Sequence, residues 1–258
     1  MDDQVQRLVD KAWDKFLGTS PEQRLMIGIG GIPGSGKTTL SQIVTKALNA
    51  RHKTHSPDYP SPIAAFVPMD GYHLTRAQLS AMPDPATAHA RRGAEFTFDG
   101  ASFLTLVQAL RNPLPVPPPS PQLPSTSSSS SSSPPYPPHT ILAPSFDHAV
   151  KDPKEGDIPI LPTQRIVVFE GNYIALDKEP WRSASRLMDE VWFVEVDFAV
   201  ARKRLAKRHV KAGLVDTEEE GDRRAVENDL PNGEEIVAAR VVVDEVIKSR
   251  EDGAWVGL

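Results

Sequence analysis

The 258-residue chain has no cysteine, which excludes disulfide cross-links, thiolate metal sites and a cysteine nucleophile. It also lacks an excess of positive charge: 29 Lys and Arg against 34 Asp and Glu leave a net charge of −5. A dedicated nucleic-acid binder carries a clearly basic surface, so no nucleic-acid partner is expected. No apolar run approaches the ~20 residues that a membrane span needs. The opening Met1-Asp2-Asp3-Gln4 is acidic and has no basic n-region of the kind found in secretory or mitochondrial leaders. The expectation is a soluble cytoplasmic protein with no membrane partner. Its length suits one large α/β domain or two small ones.

Against these absences stands one strong presence. Gly31-Ile32-Pro33-Gly34-Ser35-Gly36-Lys37-Thr38 fits G-x-x-x-x-G-K-[ST] without a mismatch. The apolar run Leu25 to Gly30 before it reads as a buried strand. Leu40, Ile43, Val44, Ala47 and Leu48 after it follow helical spacing. Strand, glycine loop and helix thus occur in the order phosphate binding requires. Loop amides and the positive helix end hold phosphate oxygens. Lys37 is expected to reach the terminal phosphates and the Thr38 hydroxyl to ligate Mg²⁺, with Gly31 to Thr39 forming the ATP site. The plainer alternative is a glycine-rich turn with a chance Lys-Thr.

Elsewhere, Val5, Leu8, Val9, Ala12, Trp13 and Phe16 predict an opening amphipathic helix. Strands are expected at Ile63 to Met69, Arg165 to Phe169, Glu190 to Asp197 and near Glu245 to Ile247. Helices are expected at Ala101 to Arg111, Phe198 to Ala212 and from Glu234. An acidic loop is read at 216–220, and turn chemistry at Asn228 to Gly233. Residues 113–144, with a serine run from Ser127 to Ser133 and repeated prolines, cannot supply a packed core and read as a disordered insertion. That insertion is also a conceivable docking segment for a partner protein. Alternating strands and helices predict a three-layer α/β/α sandwich with a parallel sheet of about five strands, 1–258 forming one domain. Residues 198–222 are expected to form a helical lid.

Ligands of such sheets sit at the carboxyl ends of the strands, where Asp70, Glu170 and Asp197 fall. Asp70 is placed to act as a base on an acceptor hydroxyl; the alternative is a cap for a helix starting near Leu74. Glu170, after four apolar residues, holds the Walker-B position as a metal-site residue. Asp197 is its rival, but more simply caps the helix that follows. Arg204 and Arg208, one turn apart in the basic segment, could reach one phosphate as a lid does, whereas Lys203 and Lys207 read as a solvated face. Arg91, Arg92 and His148 are weaker candidates for substrate contacts.

Together these motifs resemble the phosphoribulokinase/uridine kinase family of P-loop kinases, which includes bacterial-type pantothenate kinase. The resemblance rests on Gly31 to Thr38, Met69 to Leu74, Arg91-Arg92-Gly93-Ala94 with Thr97-Phe98-Asp99, and Pro144 to His148. It continues through Phe169 to Tyr173, Arg204-Leu205 with Arg208-His209 and Gly213, and Asn228 to Gly233. It implies ATP- and Mg²⁺-dependent phosphorylation of a hydroxyl on a small metabolite. Asp70 would be the base, Glu170 the metal-site carboxylate, and Arg204 and Arg208 the lid cations. The same motifs put Tyr72, His73, Arg91, Arg92, Asp147, His148, Asn172 and Tyr173 near the substrate. Asp70 is followed by Gly-Tyr-His and not the Ser-Phe-Tyr of uridine kinases, which is closer to pantothenate and sugar kinases. The competing readings are a nucleotide-binding regulatory protein with little chemistry, and a simple NTPase.

Overall fold

The computed structural model describes residues 3–59, 61–114, 136–147 and 149–250. The serine run and His148 lie outside the described residues.

Strands β1 (Leu25–Gly31), β2 (Ala64–Pro68), β5 (Ile166–Gly171), β6 (Glu190–Glu195) and β7 (Glu245–Lys248) form one parallel sheet in the order β2-β5-β1-β6-β7. The central strands are buried along almost their whole length, as expected where helices cover both faces. Side-chain alternation then sorts each strand between two layers. Ile27 and Ile29 of β1, Ile166 and Val168 of β5, and Trp192 and Val194 of β6 face α1 (Asp3–Leu17) and α2 (Lys37–His55). Met26, Val167, Phe169, Val191 and Phe193 face the opposite layer. That layer holds α5 (Gly100–Arg111), α6 (Trp181–Ser185) and α9 (Leu230–Ala238). The parallel sheet and its two helical layers agree with the expected P-loop α/β/α architecture.

Helices α3 (Arg76–Ser80) and α4 (Pro85–Ala90) follow a 3₁₀ turn at Met69–Tyr72. An antiparallel hairpin, β3 (Ile141–Asp147) and β4 (Asp152–Ile160), is present that the sequence pattern does not announce. Regular structure therefore resumes at Ile141, inside the 113–144 segment read as an insertion. Pro144 interrupts the register of this hairpin, and its prolines mask the alternation a strand would otherwise display. The hairpin lies hard against the 3₁₀ turn: a Cβ on Gly71 would come within 2.2 Å of the Pro144 carbonyl oxygen.

Two further expectations are corrected. The acidic 216–220 segment opens a helix, α8 (Glu218–Arg224). Thr217 caps it by accepting from the Glu220 amide, and three glutamates occupy its positive end. Asn228 to Gly233 is likewise no turn. A π-helical stretch at Ala225–Asp229 runs into α9, which tolerates Pro231 because it stands in the first turn. Helix α7 (Phe198–Lys211) occurs as expected. Among the described residues, no helix is long and apolar enough to cross a membrane.

Candidate active site

The loop between β1 and α2 takes its shape from Gly34 and Gly36, whose φ angles of 80° and 88° lie in the left-handed region. Such a turn points successive amides into one concavity. The Ser35 hydroxyl is fully buried there and has no hydrogen-bond partner. Lys37 is 7% exposed and donates to the Ile32 carbonyl at 3.3 Å. Burial lowers its pKa, and the Arg208 charge acts in the same sense, against the raising influence of Glu170, Asp70 and Asp229. A buried cation beside a concavity of loop amides is suited to an anion.

Glu170 closes β5, level with Ile29 of β1, and the Thr38 hydroxyl donates to its Oε1 at 3.1 Å. Burial raises the Glu170 pKa to about 7, the nearby Asp70 carboxylate adds to the rise, and Lys37 opposes it. Among the described residues no cluster of three His, Cys, Asp or Glu side chains could hold a metal by itself. Magnesium rarely needs one: one or two carboxylates and substrate phosphate oxygens suffice. A buried carboxylate beside a threonine hydroxyl fits that donor set once it has lost its proton. Asp197 does not compete, because its carboxylate caps α7 by accepting from the Ala199 and Val200 amides.

Asp70 sits on the 3₁₀ turn beyond β2, exposed. It is not the cap of the next helix: Thr75 caps α3, in a reciprocal box with Gln78. Asp70 instead borders a cleft of about 500 Å³ that also contains Lys37, Thr38, Glu170 and Arg208. Beyond Asp70 this cleft is walled by aromatic rings. His73 lies 4.0 Å from Phe98 and 4.9 Å from Phe146, centroid to centroid, and the Arg92 guanidinium stands 5.5 Å from Phe146. The His73 Nδ1 is 2.8 Å from the Asp70 carbonyl, so Nδ1 carries a proton and donates to it. Asn172 completes that side.

Several expected residues lie elsewhere. Tyr72 is core, packed edge-on against Phe103 at 5.2 Å, and burial raises its pKa. Tyr173 is fully buried, with burial raising its pKa too, and its hydroxyl donates to the Gly93 carbonyl at 2.7 Å. Arg91 does not border the cleft; it donates to Asn228 Oδ1 at 3.0 Å and to Asn232 Oδ1 at 2.8 Å. Asp147 caps the hairpin turn, accepting from the Ala149 and Val150 amides. Arg204 reaches around the loop to the Gly34 carbonyl at 3.2 Å and the Ser249 hydroxyl at 2.8 Å, so it does not join Arg208 in the cleft. Thr39 stands next to Thr38 in the first turn of α2, and both are exposed. Lys203 and Lys207 are solvated, as expected.

The structure also adds residues. His209 is buried, and its Nε2 lies 2.8 Å from Asp229 Oδ2 at the cleft wall. Lys151, from the β3–β4 turn, and Arg224 border the same space. The Asn-Asp…Asn run was visible in the sequence, but nothing in its spacing announced that it faces the cleft. Lys151 carried no signal at all.

A P-loop at the end of the first sheet strand, facing buried Lys37 and Glu170 with the Thr38 hydroxyl beside them, defines the class of P-loop phosphotransferases. The comparisons narrow it. The chain is 49% identical to the ATP-dependent kinase-like protein notR′ of Aspergillus versicolor over 179 residues, 69% of this chain and 92% of the relative. It is 39% identical over 211 residues to a provisionally named uridine kinase, C227.14, of Schizosaccharomyces pombe, covering 82% of this chain and 77% of that one. The crystal structure of YFH7 from Saccharomyces cerevisiae superposes with a TM-score of 0.77 at 25% identity, covering 96% of this chain and 99% of the other. No protein-family model matches. The chain belongs to the phosphoribulokinase/uridine kinase family of P-loop kinases.

Proposed function

We propose that the protein transfers the γ-phosphoryl group of ATP to a hydroxyl of a small metabolite, with Mg²⁺ as cofactor. The observation that carries this is the convergence of Lys37, Thr38, Asp70, Glu170 and Arg208 on one cleft. A regulatory nucleotide binder has no need of a carboxylate at the acceptor side, and a simple NTPase has no need of a separate walled pocket beyond it.

The residues divide the work by position. The loop amides and Lys37 hold the triphosphate, and Arg208 approaches from the lid helix to oppose charge on the transferring group. Asp70 lies between donor and acceptor ends, where it accepts the hydroxyl proton as the new P–O bond forms. The aromatic wall of His73, Phe98 and Phe146 positions the acceptor and excludes water from that end. Thr38 and Glu170 would hold magnesium, which supplies charge neutralisation on the phosphates. The pantothenate-, sugar- and nucleoside-like acceptors are the candidates.

The test is a coupled ADP-release screen against pantothenate, sugars, glycerate and nucleosides. The expected result is release that depends on one acceptor class and on magnesium. Acceptor-independent release, or none, contradicts the proposal.

A further inference from the structure

The acceptor end of the cleft contains an exposed lysine whose ammonium is free to receive a ligand. Lys151 borders the cleft beside Arg92, His73 and Phe146. Its backbone is held in the left-handed region, at φ 57°, an unusual conformation for a lysine. Its carbonyl accepts from Arg92 Nη1 at 2.5 Å, which fixes the turn against the cleft wall. Among the described residues its ammonium has no ion pair and no side-chain hydrogen bond.

The neighbouring acids are committed elsewhere. Asp152 pairs with Arg92 at 2.9 Å and accepts from the Arg76 amide. Asp147 caps the turn. Asp157 pairs with Lys154 and accepts from Ser145. Within the cleft, Glu170 is bonded to Thr38 and Asp229 to His209. Arg92 is therefore already balanced, and its role is to stiffen the wall, with its two terminal nitrogens on Leu74, Lys151 and Asp152. Lys151 is thus an exposed ammonium with no ion pair among the described residues, in the same cleft as the Asp70 carboxylate.

Resting on the kinase reading above, we infer that the acceptor is an anionic alcohol. Its hydroxyl faces Asp70, and a carboxylate or phosphate at its other end is received by Lys151. A neutral polyol or nucleoside would forgo that charge-assisted contact, which an anionic alcohol gains.

Matched pairs test this, each differing in one anionic group: glycerate and glycerol, pantothenate and panthenol, fructose 6-phosphate and fructose. The carboxylate and phosphate arms tell the two anions apart. The charged member of at least one pair should show kcat/KM higher by about tenfold to a hundredfold, the range of one charge-assisted contact. Lys151→Met should shrink that ratio tenfold or more, mainly through KM of the charged member, and Lys151→Arg should restore it. Thermal melting of each variant checks that the hairpin is intact. Equal use of charged and neutral members, or a ratio indifferent to Lys151→Met, overturns the inference while leaving the kinase standing. Absence of acceptor-dependent ADP release with every pair removes the kinase reading and this inference with it.

Discussion

At the scale of single residues, the site concentrates on two carboxylates of unlike setting. Asp70 stands on an exposed turn, whereas Glu170 is 5% exposed at the end of a buried strand. Asp70→Asn removes the proton acceptor but no part of the phosphate cradle. Turnover should fall by roughly 10²–10⁴ with nucleotide affinity nearly unchanged, read by single-turnover kinetics beside equilibrium nucleotide binding. Glu170 makes a prediction about stability. Its folded pKa of about 7 exceeds the ordinary glutamate value of 4.5, so between these values the folded state holds more proton than the unfolded state. Stability contributed by the protonated form is therefore lost as pH rises from about 4.5 through 7. Glu170→Gln, without nucleotide, should melt higher than the parent above pH 7, and the two should converge towards pH 5. A melting difference that grows on acidification would show that the carboxylate is not held in a proton-retaining site.

Among elements, the phosphate loop, α7 and the five sheet strands could be read from the sequence because each rests on local signals. These are glycines at fixed offsets, 3.6-residue spacing, and apolar runs longer than a turn. The hairpin β3–β4 could not be read, since its prolines and charges hide the two-residue alternation and its stability comes from docking on the Asp70 turn. The π-helical stretch into α9 was misread for the opposite reason. Asn, Pro and Gly favour turns locally, but Asn228 and Asn232 are 5% and 1% exposed and bind the Arg91 side chain. Tertiary contacts override local preference there. The same contacts explain why Arg91, although adjacent to Arg92, contributes to architecture and not to the cleft wall. Asn232→Ala should cost about 1–3 kcal/mol in denaturant unfolding, because it strips the half-buried Arg91 guanidinium of one acceptor. Little change would mean that the clasp holds nothing in place.

Over the whole molecule, the separation of labour follows the sheet. One layer of helices, α1 and α2, closes the back of the phosphate loop, while the other layer and the hairpin build the acceptor end. The Pro/Ser-rich stretch joins α5 to the hairpin by sequence, and Lys37, Thr38, Asp70, Glu170 and Arg208 all lie outside 115–138. Replacing Pro115 to Pro138 with a short Gly/Ser linker should leave kcat and both KM values within about twofold, since loop-closure entropy changes slowly with loop length. Loss of turnover in a protein that still melts cooperatively would assign that stretch a part in catalysis. Such a role is invisible in composition, which reports only that a segment cannot form a core.

Arg204 gives α7 an anchored root. It binds the Gly34 carbonyl, the Ser249 hydroxyl and the Arg250 carbonyl at once, and Arg208 stands one turn further on, about 6 Å along the axis. A lever clamped at its base does not swing freely; only its tip has travel. Arg208 therefore keeps step with the loop that grips the triphosphate, and the same rivet ties that loop to the strand at the far edge of the sheet.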